Sequence, residues 1–502
     1  MTLLAASAAL VVTATPRNAS ADDAEKENEA AGWDARPEAP PRAPSPAATP
    51  RTSQGDSASR DGKRAIPDYD GRPDVPADDG VAIWTARVLL APGRLVTEAL
   101  IREPARGLVL LAQEVELIGG VADATTRDPD STVGLTPIGV IELGNRPLLG
   151  MYAQIEHLIA PWERLRAVAM IGGTDVMRSH LVDEMGLSDS ARLELGFAAL
   201  RRDDLLTWGT GPNADGSAAG TYAVASLEGN ATFHITLADR DLAYVETWTS
   251  LRRARIDNGD CDDGVLVPRD GAPSFRCEGP TVVERARAGD ASLPPGFGNT
   301  TTLGAGARFV LDAPPPQGTP SLGGRLDLRA EEKAILDGPR DGAWVAWGAR
   351  GSLAADLTGT RRVLSLGAQL DLAVPLADDV AIPLLDLPGA QRLDDDLGGD
   401  LLLGLRPGRT VGRSLIQAAL DYQWPVWTAL DAHLQAGVGN AFGARLDGFE
   451  PGQLRFAFAG GFVAQLRRDY ALRILAGFST DTFDRGTEPA LSRLLIGGNT
   501  DL

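Results

Sequence analysis

The 502 residues carry a formal net charge of −20, with 57 glycines, 34 prolines and only 5% aromatic residues. That acidity excludes nucleic acid as a partner, because phosphate recognition needs clustered Lys and Arg, and the sequence has no such run. The composition is also too polar for a bundle of membrane helices and fits a porin-like wall, in which only every second strand residue faces lipid.

Residues 1–21 read as a secretory signal peptide: residues 3–12 are largely apolar, and Ala19 and Ala21 form an A-x-A cleavage pattern. A basic n-region is missing, which leaves the true start open. Residues 22–80 are rich in Ala, Pro, Ser, Asp and Arg with almost no large apolar side chain, so they are expected to form a disordered Pro/Ala-rich periplasmic leader. Residues 81–118 carry Ile83, Trp84, Val88, Leu89, Leu95, Leu100 and Leu110, broken by Arg87, Arg94, Arg102 and Arg106. That is a short amphipathic helical segment, which would lie on a membrane interface, plug the base of a barrel or simply pack. Apolar runs of about 20 residues, long enough to span as a helix, are absent.

From residue 131 onward the period becomes two. Leu364, Leu366, Ala368, Leu370 and Leu372 alternate with Ser365, Gly367, Gln369 and Asp371. Ile416, Ala418, Leu420, Tyr422 and Trp424 alternate with Gln417, Ala419, Asp421 and Gln423. Gly324, Leu326 and Leu328 alternate with Arg325, Asp327 and Arg329, and Leu193 and Leu195 with Arg192, Glu194 and Gly196. Runs of about nine residues suit tilted strands crossing hydrocarbon, whereas sandwich strands are usually about 5 to 6. Aromatic residues gather near the strand ends: Trp344 and Trp347, Tyr422, Trp424 and Trp427, Phe456, Phe458 and Phe462. Interfacial girdles and buried core both explain that placement.

Two cysteines, Cys261 and Cys277, flank a polar stretch, and in an oxidising compartment they are expected to staple one loop as a disulfide. With no histidine between them, no metal site is expected there. The acidic runs Asp260, Asp262, Asp263 and Asp394, Asp395, Asp396 sit beside turn residues, as solvated loops or a divalent-cation site.

The most informative stretch is residues 386–442. It contains Leu397-Gly398-Gly399, then Leu402-Leu403-Gly404-Leu405-Arg406-Pro407-Gly408-Arg409 and Arg413-Ser414. A strand closed by Trp424-Pro425-Val426-Trp427 follows, and then one ending Gly439-Asn440-Ala441-Phe442. Upstream lies Trp208-Gly209-Thr210-Gly211-Pro212, with Thr221-Tyr222 after it. In this order the motifs resemble the BamA/TamA-type outer-membrane assembly barrel (bacterial surface antigen superfamily), in a branch without periplasmic polypeptide-transport-associated domains.

The resemblance implies an all-β fold, a transmembrane antiparallel β-barrel of about sixteen strands over residues 131–502. It implies that the sixth extracellular loop folds back into the lumen. Where the family carries R-G-(F/Y), this sequence has Leu403-Gly404-Leu405, so only Gly404 matches and the lumen contacts fall to Arg406, Arg409 and Arg413. By alternation, Asp327, Glu331, Asp371 and Asp421 share the inward parity and are the expected acidic partners. The implied role is protein or lipid translocation or outer-membrane assembly. The implied partners are outer-membrane lipid, a protein or lipid client, and the barrel-assembly machinery for insertion, in the outer membrane of a Gram-negative-type cell.

No enzyme and no cofactor are expected. His157, His180, His234 and His433 are scattered with no H-E-x-x-H, and neither a G-x-S-x-G elbow nor a Walker loop is present. Two other readings stay open: a passive outer-membrane channel or surface-structure barrel without a client, and a secreted soluble β-sandwich protein.

Overall fold

A strand whose side chains alternate between lipid and a wet interior must pair on both edges, because hydrocarbon offers no partner for a free N–H or C=O. The computed structural model satisfies this by closure. It describes residues 133–142, 144–214, 220–238, 242–259, 281–289, 293, 297–315, 320–338, 341–377, 380–390, 401–427, 430–467 and 470–500. The signal peptide, the leader, the amphipathic segment, both cysteines, Gly398 and Gly399, and the two acidic runs all lie outside the described residues.

The first eight strands are β1 (Val133–Glu142), β2 (Leu148–Glu156), β3 (Glu163–Ile171), β4 (Met177–Ser188), β5 (Ala191–Thr207), β6 (Gly220–Thr236), β7 (Ala243–Asn258) and β8 (Gly298–Ala313). The rest are β9 (Ser321–Asp337), β10 (Gly342–Asp356), β11 (Val363–Pro375), β12 (Ser414–Trp427), β13 (Leu430–Phe442), β14 (Arg455–Arg467), β15 (Tyr470–Thr482) and β16 (Ala490–Thr500). Each pairs antiparallel with its chain neighbours, and β1 pairs with β16 to close a sixteen-strand barrel. No helix among the described residues is long and apolar enough to cross a membrane.

The four runs picked out by alternation lie in β11, β12, β9 and β5, with their apolar members outward. Leu366, Leu420, Leu326, Leu328 and Leu195 are all exposed on the outer wall, as lipid-facing residues should be. Their polar neighbours face the lumen, where Arg308 binds Asp327 at 2.9 Å and Arg329 binds Asp371 at 3.0 Å. The girdle expectation divides. Trp347, Phe456 and Phe458 are exposed outside, and Tyr422 stacks on Trp424 with ring centroids 5.2 Å apart. Trp344 is fully buried inside the barrel, so that member belongs to the interior core.

The interior is not uniform around the ring. In the mouth-side half of β1–β3 and β14–β16 many inward side chains are also apolar: Ile138, Val140, Leu148, Tyr152, Val168 and Met170 pack with Ala459, Leu475 and Leu495. The long connections β5–β6, β7–β8 and β11–β12 share one rim, the mouth, and tight hairpins make the other. Among the described residues of the β7–β8 connection is a short helix, α1 (Val282–Arg287). Thr281 and Glu284 cap it reciprocally, a T-x-x-E signal that was present in the sequence.

Candidate functional site: the plugged mouth of the lumen

The connection between β11 and β12 turns inward. Its first half is apolar: Ile382, Leu384, Leu385, Leu387 and Ala390 pack with Val411 against Trp344, Tyr222, Val224 and Ile256 of the wall. Within this apolar run sits Asp386, its side chain fully buried and bound to Arg252 and to Lys333 Nζ, the latter at 3.0 Å. Burial alone would push its carboxyl up. The guanidinium of Arg252 and the ammonium of Lys333 overcome that and hold it below the ordinary carboxylate range.

The second half, residues 401–413, crosses to the apolar arc. Leu402 is fully buried, with Leu401, Leu405, Ala419 and Ala457 around it. The Leu403 amide donates to Gln435 Oε1 at 2.7 Å, and Ser492 Oγ donates to the Gly404 carbonyl at 2.5 Å. Gly404 passes so close to the wall that a Cβ would lie 2.5 Å from the Phe458 carbonyl oxygen, and Gly477 across from it is equally bare. Only glycine permits that approach.

The three arginines of this segment reach different parts of the mouth. Arg406 lies over Gly144 in the β1–β2 turn and within 3.5 Å of Asn145 Oδ1. Burial pushes its guanidinium down to about 10, against the pull of Glu142, so it is still charged at neutral pH. Arg409 donates to the Ala214 carbonyl at 2.8 Å, lies 3.8 Å from Asp481 and covers the Trp208 ring at 5.6 Å. Arg413 reaches the Val380 carbonyl at 3.5 Å, while its own carbonyl accepts from the Ala373 amide and extends the β11–β12 ladder.

The acids expected to receive these arginines are occupied by the wall. Asp327 holds Arg308, Asp371 holds Arg329, Glu331 lies 3.3 Å from Lys333, and Asp421 is bonded by Gln435. Two buried pairs that the sequence reading missed stand at the mouth instead. Arg202 grips Asp204 through two hydrogen bonds, of 2.9 and 3.0 Å. Arg493 on β16 binds Glu142 on β1 at 2.8 Å, across the closure of the barrel.

The stretch 208–214, noticed in the sequence as a separate motif, meets the same segment. Gly209 and Gly211 take φ values of 92° and 86°, which let this β5–β6 connection fold over the lumen. The Gly211 amide donates to Val411 O at 2.8 Å. Asn440 and Arg455 donate to the Pro212 and Ala214 carbonyls at 3.1 and 2.9 Å. Since β5–β6 and β13–β14 lie on opposite sides of the ring, the loop spans the mouth. Below this closure a cavity of about 950 Å³ remains, lined by Arg192, Glu246, Arg308, Asp327, Arg329 and Asp371 among others.

Among the histidines, His234 lies 3.2 Å from Glu246 and 3.4 Å from Arg192, inside the wall's ion-pair lattice. No cluster of potential metal ligands is found among the described residues.

No family model matches the sequence, and no curated protein matches it. Among solved structures, the chain is similar to BamA from Haemophilus ducreyi lacking POTRA domains 1–3, at 10% identity and a TM-score of 0.48, covering 74% of this chain and 70% of that one. It is also similar to CdiB from Acinetobacter baumannii (10% identity, TM-score 0.42) and CdiB from Escherichia coli (9%, 0.43). These cover 74% of this chain and 60% and 64% of theirs. The first is a BamA, the family whose motifs the sequence resembles.

Proposed function

We propose that the protein is an outer-membrane barrel acting in protein or lipid translocation or in outer-membrane assembly, with residues 401–413 as a lid inside its lumen. The observation that carries this reading is the inward fold of the β11–β12 connection, with Leu402 fully buried and Arg406 half-buried over Gly144 and Asn145. Removing a guanidinium from water is costly unless its contacts are kept, and an open conduit has no use for the expense. The closure of the wall supports the same reading. Among the described residues β1 and β16 share the pairs Val140↔Gly497, Ile141↔Ile496 and Glu142↔Leu495, whereas β9 and β10 pair continuously from Gly342↔Ile335 to Asp356↔Ser321. A wall with one short ladder has a defined place to part.

In this reading the outer wall meets outer-membrane lipid, the assembly machinery inserts the chain, and a protein or lipid client engages the mouth or the short ladder. The test is single-channel conductance of the purified barrel in planar bilayers. The unaltered protein is expected to stay closed or to flicker. Replacing Arg406, Arg409 and Arg413 together by Ala should enlarge or multiply the openings and lower the temperature at which the folded band disappears on a denaturing gel. The polar cavity favours the rival reading, a passive channel. Steady conductance of the unaltered protein, unchanged in the triple variant, would establish the rival and reject the lid.

A further inference from the structure

Outside the barrel the apolar band runs to the hairpin rim on β5–β7, where Leu195, Phe197, Leu227 and Leu251 are exposed. Toward the mouth the same outer face changes abruptly. Arg201 on β5 and Arg255 on β7 point outward with side chains 56% and 65% exposed, and Arg253 is exposed beside them. Their inward neighbours fix the direction: Arg202 and Arg252 face the lumen, so the odd-numbered residues face out.

The register makes these three a cradle. Arg201 pairs with Ala225, and Ala225 pairs with Arg255, so the two arginines flank one small residue across three adjacent strands. That spacing is two strand separations, about 10 Å, and Arg253 sits about 7 Å along β7 from Arg255. Arg253 is opposite Leu227, which forms the floor next to the apolar band. Asp175 binds Arg201 at 2.5 Å and Asp257 binds Arg255 at 2.7 Å, each holding a guanidinium in place from the side. Arg253 has no hydrogen bond or ion pair among the described residues. Three arginines around an alanine, directly above lipid-facing leucines, stand out in a chain of net charge −20.

We propose that Arg201, Arg253 and Arg255 form a binding site for the phosphate-bearing headgroup of a membrane lipid on the mouth side of the bilayer. Guanidinium groups present paired donors that match phosphate oxygens. The acyl chains of the same molecule would lie on Leu227, Phe197 and Leu251, a continuity that a free anion would not use. The site rests on the reading of the barrel as membrane-spanning, and the failure of that reading would show separately, as protein recovered in soluble form without detergent.

Native mass spectrometry of the full chain in detergent tests the site, with a bis-phosphorylated glucosamine lipid, phosphatidylcholine and inorganic phosphate as probes. The bis-phosphorylated lipid should bind the unaltered protein about tenfold or more tightly than phosphatidylcholine, the scale of three interfacial arginines. The variant R201Q/R253Q/R255Q should erase that preference, and R164Q on the hairpin rim should keep it. If the triple variant does not fold, R253Q alone should weaken binding several-fold, since it breaks no internal pair. Equal binding of both lipids to the unaltered protein, an unchanged preference in the variant, or full displacement of the lipid by inorganic phosphate would each overturn the assignment.

Discussion

Around β5–β10 the inner face of the barrel is a lattice of charges, whereas in the mouth-side half of β1–β3 and β14–β16 it is largely hydrocarbon. The charged arc is wet: Arg308 and Arg329 keep about a third of their side-chain surface (32% and 37%) and line the cavity. The apolar arc is dry, filled by its own side chains and by Leu403 of the inward connection. At its mouth edge it encloses one ion pair, Glu142 with Arg493, whose side chains are 6% and 3% exposed. The same chemistry therefore has different consequences in the two places. A pair in water can lose one partner cheaply, and a pair sealed in hydrocarbon cannot.

The largest effect is expected at the sealed pair. Replacing Glu142 by Ala leaves Arg493 buried without its carboxylate and should cost about 3–5 kcal/mol, read as a lower unfolding midpoint of the detergent-folded protein. The pair also joins β1 to β16 where the ladder has three residue pairs among the described residues, so the loss falls on a short ladder of the wall. The double replacement E142L/R493M should recover part of the stability, because well-packed apolar residues substitute for a buried pair with little net loss, while Asn145 and Arg406 still lose the Glu142 carboxylate. An E142A midpoint equal to that of the unaltered protein would mean that the dry arc is not dry.

The contrast between the arcs also explains what was legible in the sequence. β5, β9, β11 and β12 announced themselves because their inward residues, such as Glu194, Asp327, Asp371 and Gln417, are polar against outward leucines. In β1 the outward Val133, Leu135 and Ile141 alternate with inward Ile138 and Val140, so both faces are apolar and the period is erased. The segment around Gly404 is marked in the sequence by its motif, but the acids expected as its partners are held by other residues of the wall. Parity along a strand says which face a carboxylate takes and nothing about its height or its place around the ring, so Asp327 and Asp371 looked available when Arg308 and Arg329 already held them. Asp386 was overlooked because it stands among Leu384, Leu385 and Leu387, and only the fold brings Arg252 and Lys333 to it.

Asp386 provides an intermediate test, since it ties the inward connection to the charged arc. Its carboxyl is held below the ordinary carboxylate range by Arg252 and Lys333 despite its burial. A group depressed in the folded state contributes stability above its unfolded pKa, and that contribution is lost as pH falls through the folded value. The tether should therefore be intact at neutral pH, begin to weaken below about pH 4 and fail further down. Protease protection of the β11–β12 connection, followed on acidification, should drop in that window, and D386N should be less protected at neutral pH with a flatter profile. A profile identical in D386N and the unaltered protein would show that the connection is held by its leucines alone.

The smallest effect is expected where the charged arc is most open. Arg325 binds Asp312 at 3.0 Å near the hairpin rim, with side chains 43% and 33% exposed. Water and salt screen such a pair, and two side chains lose freedom to form it, so its net worth is about 0–1 kcal/mol. D312N should leave the unfolding midpoint within error of the unaltered protein. A double-mutant cycle on Arg325 and Asp312 should give a small coupling energy that fades further as salt is raised, whereas the Glu142–Arg493 cycle should give a large one that salt hardly changes. Equal couplings in the two cycles, or equal salt dependence, would mean that the charged arc is as sealed as the apolar one. The cavity beside Arg308 and Asp327 would then be closed to water, and the division of the interior into a wet and a dry half would fall.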